Sequence, residues 1–313
     1  MRKSILFFVL GISIIVACTD DEQTPGGDNN ATPGEDAGTE QPGEDGSTSS
    51  GDETGSKEPP SKVNVTDEKI DVDGTERTYT LAVPKTYDAA KKYPLVLVFH
   101  GDGGDGPGMR AYHKLDAVSG DDAIVGYPSG RNATWETYGP SSNNPDHRFV
   151  ETLIGAMKAK YSISKVFAVG WSKGGFFITH NQCRQPDIFD GAVIHAGGVP
   201  YDESTLNGTW PGGGGYQKCD GQTSRTQASM PVMVTHGTAD GAVPNDGGDW
   251  LRQWYAFLNQ CADSRTASTP APCESHDNCT TGKAVVWCSI EGAGHGIWDQ
   301  GAAAGWSFLK TLL

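Results

Sequence analysis

From residue 95 to residue 288 the chain repeats one pattern: a short apolar run rich in β-branched residues, then a stretch with helical spacing. The runs are Leu95–Phe99, Ala123–Tyr127, Val166–Gly170, Ala192–Ala196, Val232–Thr235 and Ala284–Cys288. A strand that is apolar on both sides has to be covered on both faces, and strands separated by helices pair in parallel. The spacing predicts a helix over Phe149–Tyr161, with Phe149, Leu153, Ile154 and Met157 on one face, and further helices over Asp249–Gln260 and Ala302–Leu313. Upstream, Lys69–Val72 and Thr75–Val83 flank Asp73-Gly74, a strong signal for a two-residue hairpin turn. The expected fold class is α/β: a mostly parallel central sheet with helices on both faces and an N-terminal antiparallel hairpin. No further boundary interrupts residues 63–313, which read as one domain.

Residues 1–62 cannot belong to that sheet. Arg2 and Lys3 precede a 13-residue, almost wholly apolar segment, Ile5 to Ala17, and Cys18 follows directly. A charged start, a short apolar core and a small residue before the cut make a secretory signal, and the Cys after it makes the signal a bacterial lipobox, with Cys18 the lipidated N-terminus. Residues 19–62 repeat Pro-Gly-(Gly/Glu)-Asp at 25, 33 and 42 and hold almost no large apolar residue. They carry 12 acids and 2 bases out of a whole-chain net charge of −15. Such a segment buries too little surface to offset its chain entropy and reads as a disordered acidic tether, on the order of 35–40 Å in r.m.s. reach. The expected location is therefore outside the cell or lipid-anchored to its envelope, the lipid being the one membrane contact. The same acidity excludes a nucleic-acid binder built on a basic surface.

Cys18 aside, six cysteines remain: Cys183, Cys219, Cys261, Cys273, Cys279 and Cys288. In an exported chain an even number implies disulfides, although spacing leaves 15 connectivities open. Cys273 and Cys279 bracket only five residues and are expected to pair locally. A zinc site on these two with His276 lacks the usual spacing.

One motif carries the chemistry. Gly170-Trp171-Ser172-Lys173-Gly174 is G-x-S-x-G, immediately after a buried-strand pattern and before a helical one. The string alone recurs by chance; the strand-to-helix context gives it meaning, because a sharp turn there lifts the serine hydroxyl above the sheet. A serine needs a base to take its proton and a carboxylate to orient that base. Asp240 follows the Val232–Thr235 run, and His295 lies in Gly294-His295-Gly296 after the last run. Serine, acid, histidine is the chain order of α/β-hydrolases. Asp246 and Asp249 compete for the acid role from less favourable positions. His100, His113, His147, His180, His195 and His236 are read as structural. The Gly-rich stretch His100-Gly101-Asp102-Gly103-Gly104 after the Leu95–Phe99 run suits an oxyanion hole, with the amides of Lys173 and Asp102 as donors and the Asp102 side chain turned away. No metal or organic cofactor enters this chemistry.

These residues resemble the secreted esterase family that contains feruloyl esterases, acetylxylan esterases and polyhydroxybutyrate-depolymerase-like lipoproteins. The resemblance spans about residues 68–313. It runs through Arg77 to Pro84, His100-Gly101, Asp146 to Tyr161, Gly170–Gly175, His236 to Asp240 with Val243-Pro244, and Gly294-His295 with Trp298. It implies an α/β-hydrolase fold, Ser172 as nucleophile, Asp240 as acid and His295 as base. It also implies Cys183–Cys219 and Cys261–Cys288 disulfides. Lys173 departs from the pattern, which usually has a small or amide residue after the nucleophile.

The expected activity is that of a serine carboxylesterase on polysaccharide- or polyester-linked esters. Feruloyl-esterase-like action on plant cell-wall esters comes first; a polyester depolymerase or an acetylxylan esterase is the alternative. A surface-displayed binding protein on an inert hydrolase scaffold is the reading from another class. Trp135, Tyr138, Trp210, Tyr216 and Trp298 lie in loop-like stretches, and Trp298 and Trp135 are the expected substrate-binding aromatics.

Overall fold

The computed structural model describes residues 61–137, 143–199 and 228–313. The lipobox at Cys18, nearly all of the 19–62 tether, Tyr138, Trp210, Tyr216 and Cys219 lie outside the described residues. Strands β1 (Val63–Val72) and β2 (Thr75–Pro84) pair antiparallel with Val72 opposite Thr75. Asp73 and Gly74 form the turn with φ of 52° and 82°, left-handed at both positions, which Asp-Gly tolerates better than most pairs. The remaining strands are β3 (Tyr93–Phe99), β4 (Ile124–Pro128), β5 (Ile163–Trp171), β6 (Gly191–His195), β7 (Val232–Gly237), β8 (Arg265–Ala267), β9 (Cys273–His276) and β10 (Val285–Ile290).

Among the described residues the strand order is β1-β2-β4-β3-β5-β6-β7-β10-β9-β8. The six strands from β4 to β10 across the centre are parallel, as the apolar runs predict. The hairpin closes one edge antiparallel, and β9 and β8 close the other. That second antiparallel edge was not foreseen: β8 is exposed throughout and only three residues long, too short for an alternation to register.

The strands alternate between two cores because successive side chains point to opposite faces. Leu95, Leu97 and Phe99 meet α3 (Pro145–Lys160), α4 (Lys173–Arg184) and α5 (Asn245–Leu258). Val96 and Val98 face α1 (Gly106–His113), α2 (Leu115–Ser119) and α6 (Gly301–Lys310). Helix α3 begins four residues before the predicted start, because Pro145 fits a first helical position and Asn144 caps the amides of Asp146 and His147. A buried ion pair, Arg77 to Asp146 at 2.6 Å, ties β2 to this helix start. Its remaining valences are met: Arg77 also donates to the Ser129 and Pro145 carbonyls, and Asp146 accepts from the Glu136 amide. The pair is therefore not left uncompensated in the interior.

The disulfides correct two expectations. Cys273 pairs with Cys288, and Cys261 with Cys279, so neither the local Cys273–Cys279 bridge nor the Cys261–Cys288 bridge implied by resemblance is present. The cause is register: Cys273 on β9 stands directly opposite Cys288 on β10. Cys261 follows α5 and is carried beside the turn after β9, where Cys279 lies; its neighbour Ala262 donates to the Asp277 carbonyl. Cys183 is also disulfide-bonded.

Strand order also positions the site. The chain leaves β3 toward β4 on one side, whereas β5 lies on the other side of β3. Loops leaving the carboxyl ends of β3 and β5 therefore diverge, and a crevice opens between them.

Two expectations about stability follow. Replacing Cys273 and Cys288 together by serine should cost about 3 kcal/mol in denaturant unfolding, the amount expected for a loop of this length. Near the site, His113 and His195 meet ring to ring at 3.1 Å, both fully buried, and burial lowers His113 to about 4 and His195 well below its ordinary value. Below pH 6.5 an unfolded imidazole takes a proton that the folded His113 refuses until about pH 4, so stability falls as the pH falls across that window. Denaturation midpoints measured from pH 7 to pH 4 should drop, with a shallower slope in a His113→Leu variant.

Candidate active site

Ser172 sits between β5 and α4 at φ 52° and ψ −121°, a conformation rare for a residue with a side chain. Its amide donates to the His195 carbonyl on β6 at 2.9 Å, and its own carbonyl accepts from the Gly175 and Phe176 amides. The turn is possible because α4 presses directly onto the end of β3. A Cβ at Gly174 would lie 2.4 Å from the Phe99 carbonyl oxygen and 2.6 Å from that of His100. A Cβ at Gly170 would meet Gly174 at 2.7 Å. Both glycines of the motif are thus demanded by close backbone approach.

His295 reaches the serine from the loop after β10. Its Nε2 lies 2.9 Å from Ser172 Oγ, and its Nδ1 lies 2.8 Å from Asp240 Oδ2. An ionised carboxylate only accepts, so Nδ1–H donates to Asp240 and Nε2 is left to accept the serine proton. Asp240 follows β7 as expected, and its side chain is wholly buried. Burial pushes its carboxyl up, but hydrogen bonds from His295 and from the Val243 and Ala242 amides outweigh this and hold it below the usual carboxylate range. Asp246 is exposed on the first turn of α5, and Asp249 is paired with Arg252, so neither reaches His295.

A second imidazole attends the same carboxylate. His236 Nε2 lies 3.1 Å from Asp240 Oδ2 and donates to the Val243 carbonyl at 2.8 Å. Burial lowers its pKa, the Val243 and Asp240 contacts opposing in part. Its Nδ1 meets no partner among the described residues and packs against Gly248, where a Cβ would come within 2.2 Å. Sequence reasoning set His236 aside as structural; the His-Gly-x-x-Asp spacing at the end of β7 was the available signal.

The loop after β3 closes the other side. A Cβ on Gly101 would come 3.3 Å from Ser172 Cβ and 2.8 Å from the Trp171 ring. His100 is buried, its Nδ1–H on the Gly101 carbonyl and its Nε2 accepting from the Gly130 amide, which fixes the loop. The Asp102 carboxylate accepts from the Thr134 hydroxyl and so is held by the 131–136 stretch. Lys173 opens α4, which brings the positive end of the helix to the serine. Beside Lys173 lies a cleft of about 400 Å³ lined by Arg131, Asn132, Thr134, Glu136 and Asp146.

The expected aromatics behave differently. Trp135 is only 1% exposed: its Nε1–H donates to the His100 carbonyl, and its ring stacks on Phe177 at 4.9 Å. An indole locked this way braces the loop after β3, and the little of it that remains open lines the cleft beside Lys173. Trp298 is half-buried, packed against the apolar cluster beneath α6, with its carbonyl accepting from Gly301 at the helix start. The aromatic ring beside His295 is Trp171, with centroids 5.5 Å apart. The zinc reading of Cys273, Cys279 and His276 is superseded, since both sulfurs are in disulfides and His276 Nε2 accepts from Arg252.

Lowering of the Asp240 pKa makes a measurable prediction. The carboxylate stabilises the fold above its unfolded value of 3.8, and that contribution is lost as pH falls through the lower folded value. The stability gap between the wild-type protein and Asp240→Asn, measured by thermal unfolding, should be widest near neutrality and narrow below pH 3.8.

The chain is similar to several known hydrolases. The prolyl oligopeptidase family model matches residues 150–304, a stretch that includes Ser172, Asp240 and His295. A probable feruloyl esterase C from Aspergillus niger is 26% identical over 193 residues, which is 59% of this chain and 63% of that relative. The chain thus spans somewhat under two thirds of that relative's length. Among solved structures, an acetyl xylan esterase from Aspergillus awamori aligns with a TM-score of 0.61 at 16% identity, covering 78% of this chain and 98% of that one. A ferulic acid esterase from Anaeromyces mucronatus, solved with ferulic acid, aligns at 0.51 and 18% identity, covering 80% and 90%. A parallel sheet with an elbow serine at its switch point, and the likeness to the acetyl xylan esterase structure, show that this chain has the α/β-hydrolase fold.

Proposed function

We propose that the chain is a serine carboxylesterase that works through an acyl-enzyme, with feruloyl-type esters of plant cell-wall polysaccharide as its substrate class. The observation that carries this is the unbroken hydrogen-bond line from Ser172 through His295 to Asp240, at 2.9 and 2.8 Å. Ser172 Oγ attacks the ester carbonyl as its proton passes to His295 Nε2. Asp240, buried and ionised, stabilises the imidazolium. The amides of Lys173 and Asp102 take the oxyanion, assisted by the α4 N-terminus. His295 returns the proton to the leaving alcohol, and water, activated by the same imidazole, then frees the acid. The feruloyl esterase relative and the acetyl xylan esterase structure support ester chemistry and this substrate class.

Disulfides at Cys261–Cys279 and Cys273–Cys288 support an oxidising, exported location. Cys18 is proposed as the lipid anchor and residues 19–62 as the spacer. The prolyl oligopeptidase match favours one second reading, peptide-bond hydrolysis by the same serine.

The test is a fluorophosphonate probe with peptide mapping. We expect label on Ser172, and a Ser172→Ala protein that folds normally but loses about 10⁴-fold or more in kcat. An unlabelled serine would identify an inert scaffold. Methyl ferulate, acetylated xylan, hydroxybutyrate oligomers and a peptide anilide then assign the bond, with ferulate expected to turn over fastest.

A further inference from the structure

Tyr112 is an exposed aromatic that the fold holds still. It is 47% accessible, and it is the aromatic residue among the large apolar side chains left exposed in the described residues. It lies near the end of α1, next to His113, which points inward to His195. Its hydroxyl oxygen accepts from the Ile297 amide at 2.9 Å, two residues beyond His295. Its ring meets Trp171 edge to face at 5.1 Å, and Trp171 in turn lies 5.5 Å from the His295 ring. The Trp171 ring cannot retreat, because Gly101 packs against it so closely that a Cβ there would sit 2.8 Å away. Tyr112, Trp171 and the turn after His295 therefore form one fixed shelf beside the imidazole.

The chemistry determines which half of an ester meets this shelf. In acyl transfer the base that takes the serine proton returns it to the departing oxygen, so the alcohol portion must lie on the His295 side of Ser172. A group resting on Tyr112 is consequently the alcohol, not the acyl group. The shelf offers an apolar face together with a phenolic proton that remains available, because the Ile297 contact uses only an acceptor lone pair. A sugar ring matches both features: its C–H face packs on an aromatic ring, and its hydroxyls meet a polar tip. A methyl or ethyl leaving group is too small to cover the ring.

We infer that Tyr112 is the platform for the sugar of a sugar ester and sets preference for the alcohol half of the substrate; the inference rests on the esterase activity proposed above. Binding energy from this remote contact would favour sugar esters over simple alkyl esters of the same acid.

The experiment compares one acyl group on two alcohols: methyl ferulate against feruloylated arabinose, or methyl acetate against acetylated xylose where acetyl is preferred. The readout is the ratio of kcat/KM for the sugar ester to that for the methyl ester, in the wild-type protein, Tyr112→Ala and Tyr112→Phe. We expect the ratio to fall about tenfold in Tyr112→Ala, mainly through a higher KM for the sugar ester. It should survive largely in Tyr112→Phe, which keeps the ring and loses the Ile297 hydrogen bond. Parallel losses of kcat on both esters in both variants would make Tyr112 a brace for the His295 loop and overturn the inference, as would an unchanged ratio in Tyr112→Ala. If the wild-type protein hydrolyses none of these esters, the esterase reading fails and takes this inference with it.

Discussion

The close contact of α4 with the end of β3 is the constraint from which the site follows. With Gly174 seated on the Phe99 and His100 carbonyls, the turn at Ser172 has to pass through a left-handed conformation that costs on the order of 1–3 kcal/mol. Many contacts share that cost. The Ser172 amide bonds to β6, its carbonyl is spent inside α4, and the two cores hold β3 and β5 in register with Phe99 opposite Gly170. The strain lifts the hydroxyl clear of the sheet, and the positive end of α4 then lies where an anion would form.

Around that turn the interior is polar but organised. Asp240 receives three donors, the Ala242 and Val243 amides and His295 Nδ1–H, with His236 Nε2 3.1 Å away, all converging on a side chain with no exposure. Such a carboxylate is held in one orientation, and the orientation of His295 follows from it. Two more histidine pairs, His113 with His195 and His147 with His180, link helices to the sheet and to one another. Burial keeps His113 and His147 at about 4 and about 3, so both are neutral near pH 7. His295 is the one imidazole that is partly open to solvent.

Much of this was legible in residue order. The apolar runs located the six parallel strands because a strand buried on both faces admits almost no polar residue. The Asp73-Gly74 hairpin was legible because few other dipeptides accept two left-handed positions. G-x-S-x-G marked Ser172 through its setting, and Asp240 was separable from Asp246 and Asp249 by lying just past a strand. Helix α1 was missed: within Gly106–His113 its buried residues are Gly106, Met109 and His113, too little apolar content for a periodic signal, although Asp105 and Pro107 were start signals. The edge strand β8 was missed because it is exposed and short.

The sequence alone determined the six parallel strands and the N-terminal hairpin, the turn that presents Ser172, and the chain order of serine, acid and histidine, because each depends on local composition and spacing. Tertiary structure decided which cysteines meet, why Trp135 is a brace, and that Tyr112, Trp171 and His236 stand around the triad. These facts depend on which strands lie side by side, on their register, and on the direction each side chain takes from its element. Residues 112, 171 and 297, or 273 and 288, become neighbours only when the sheet has closed.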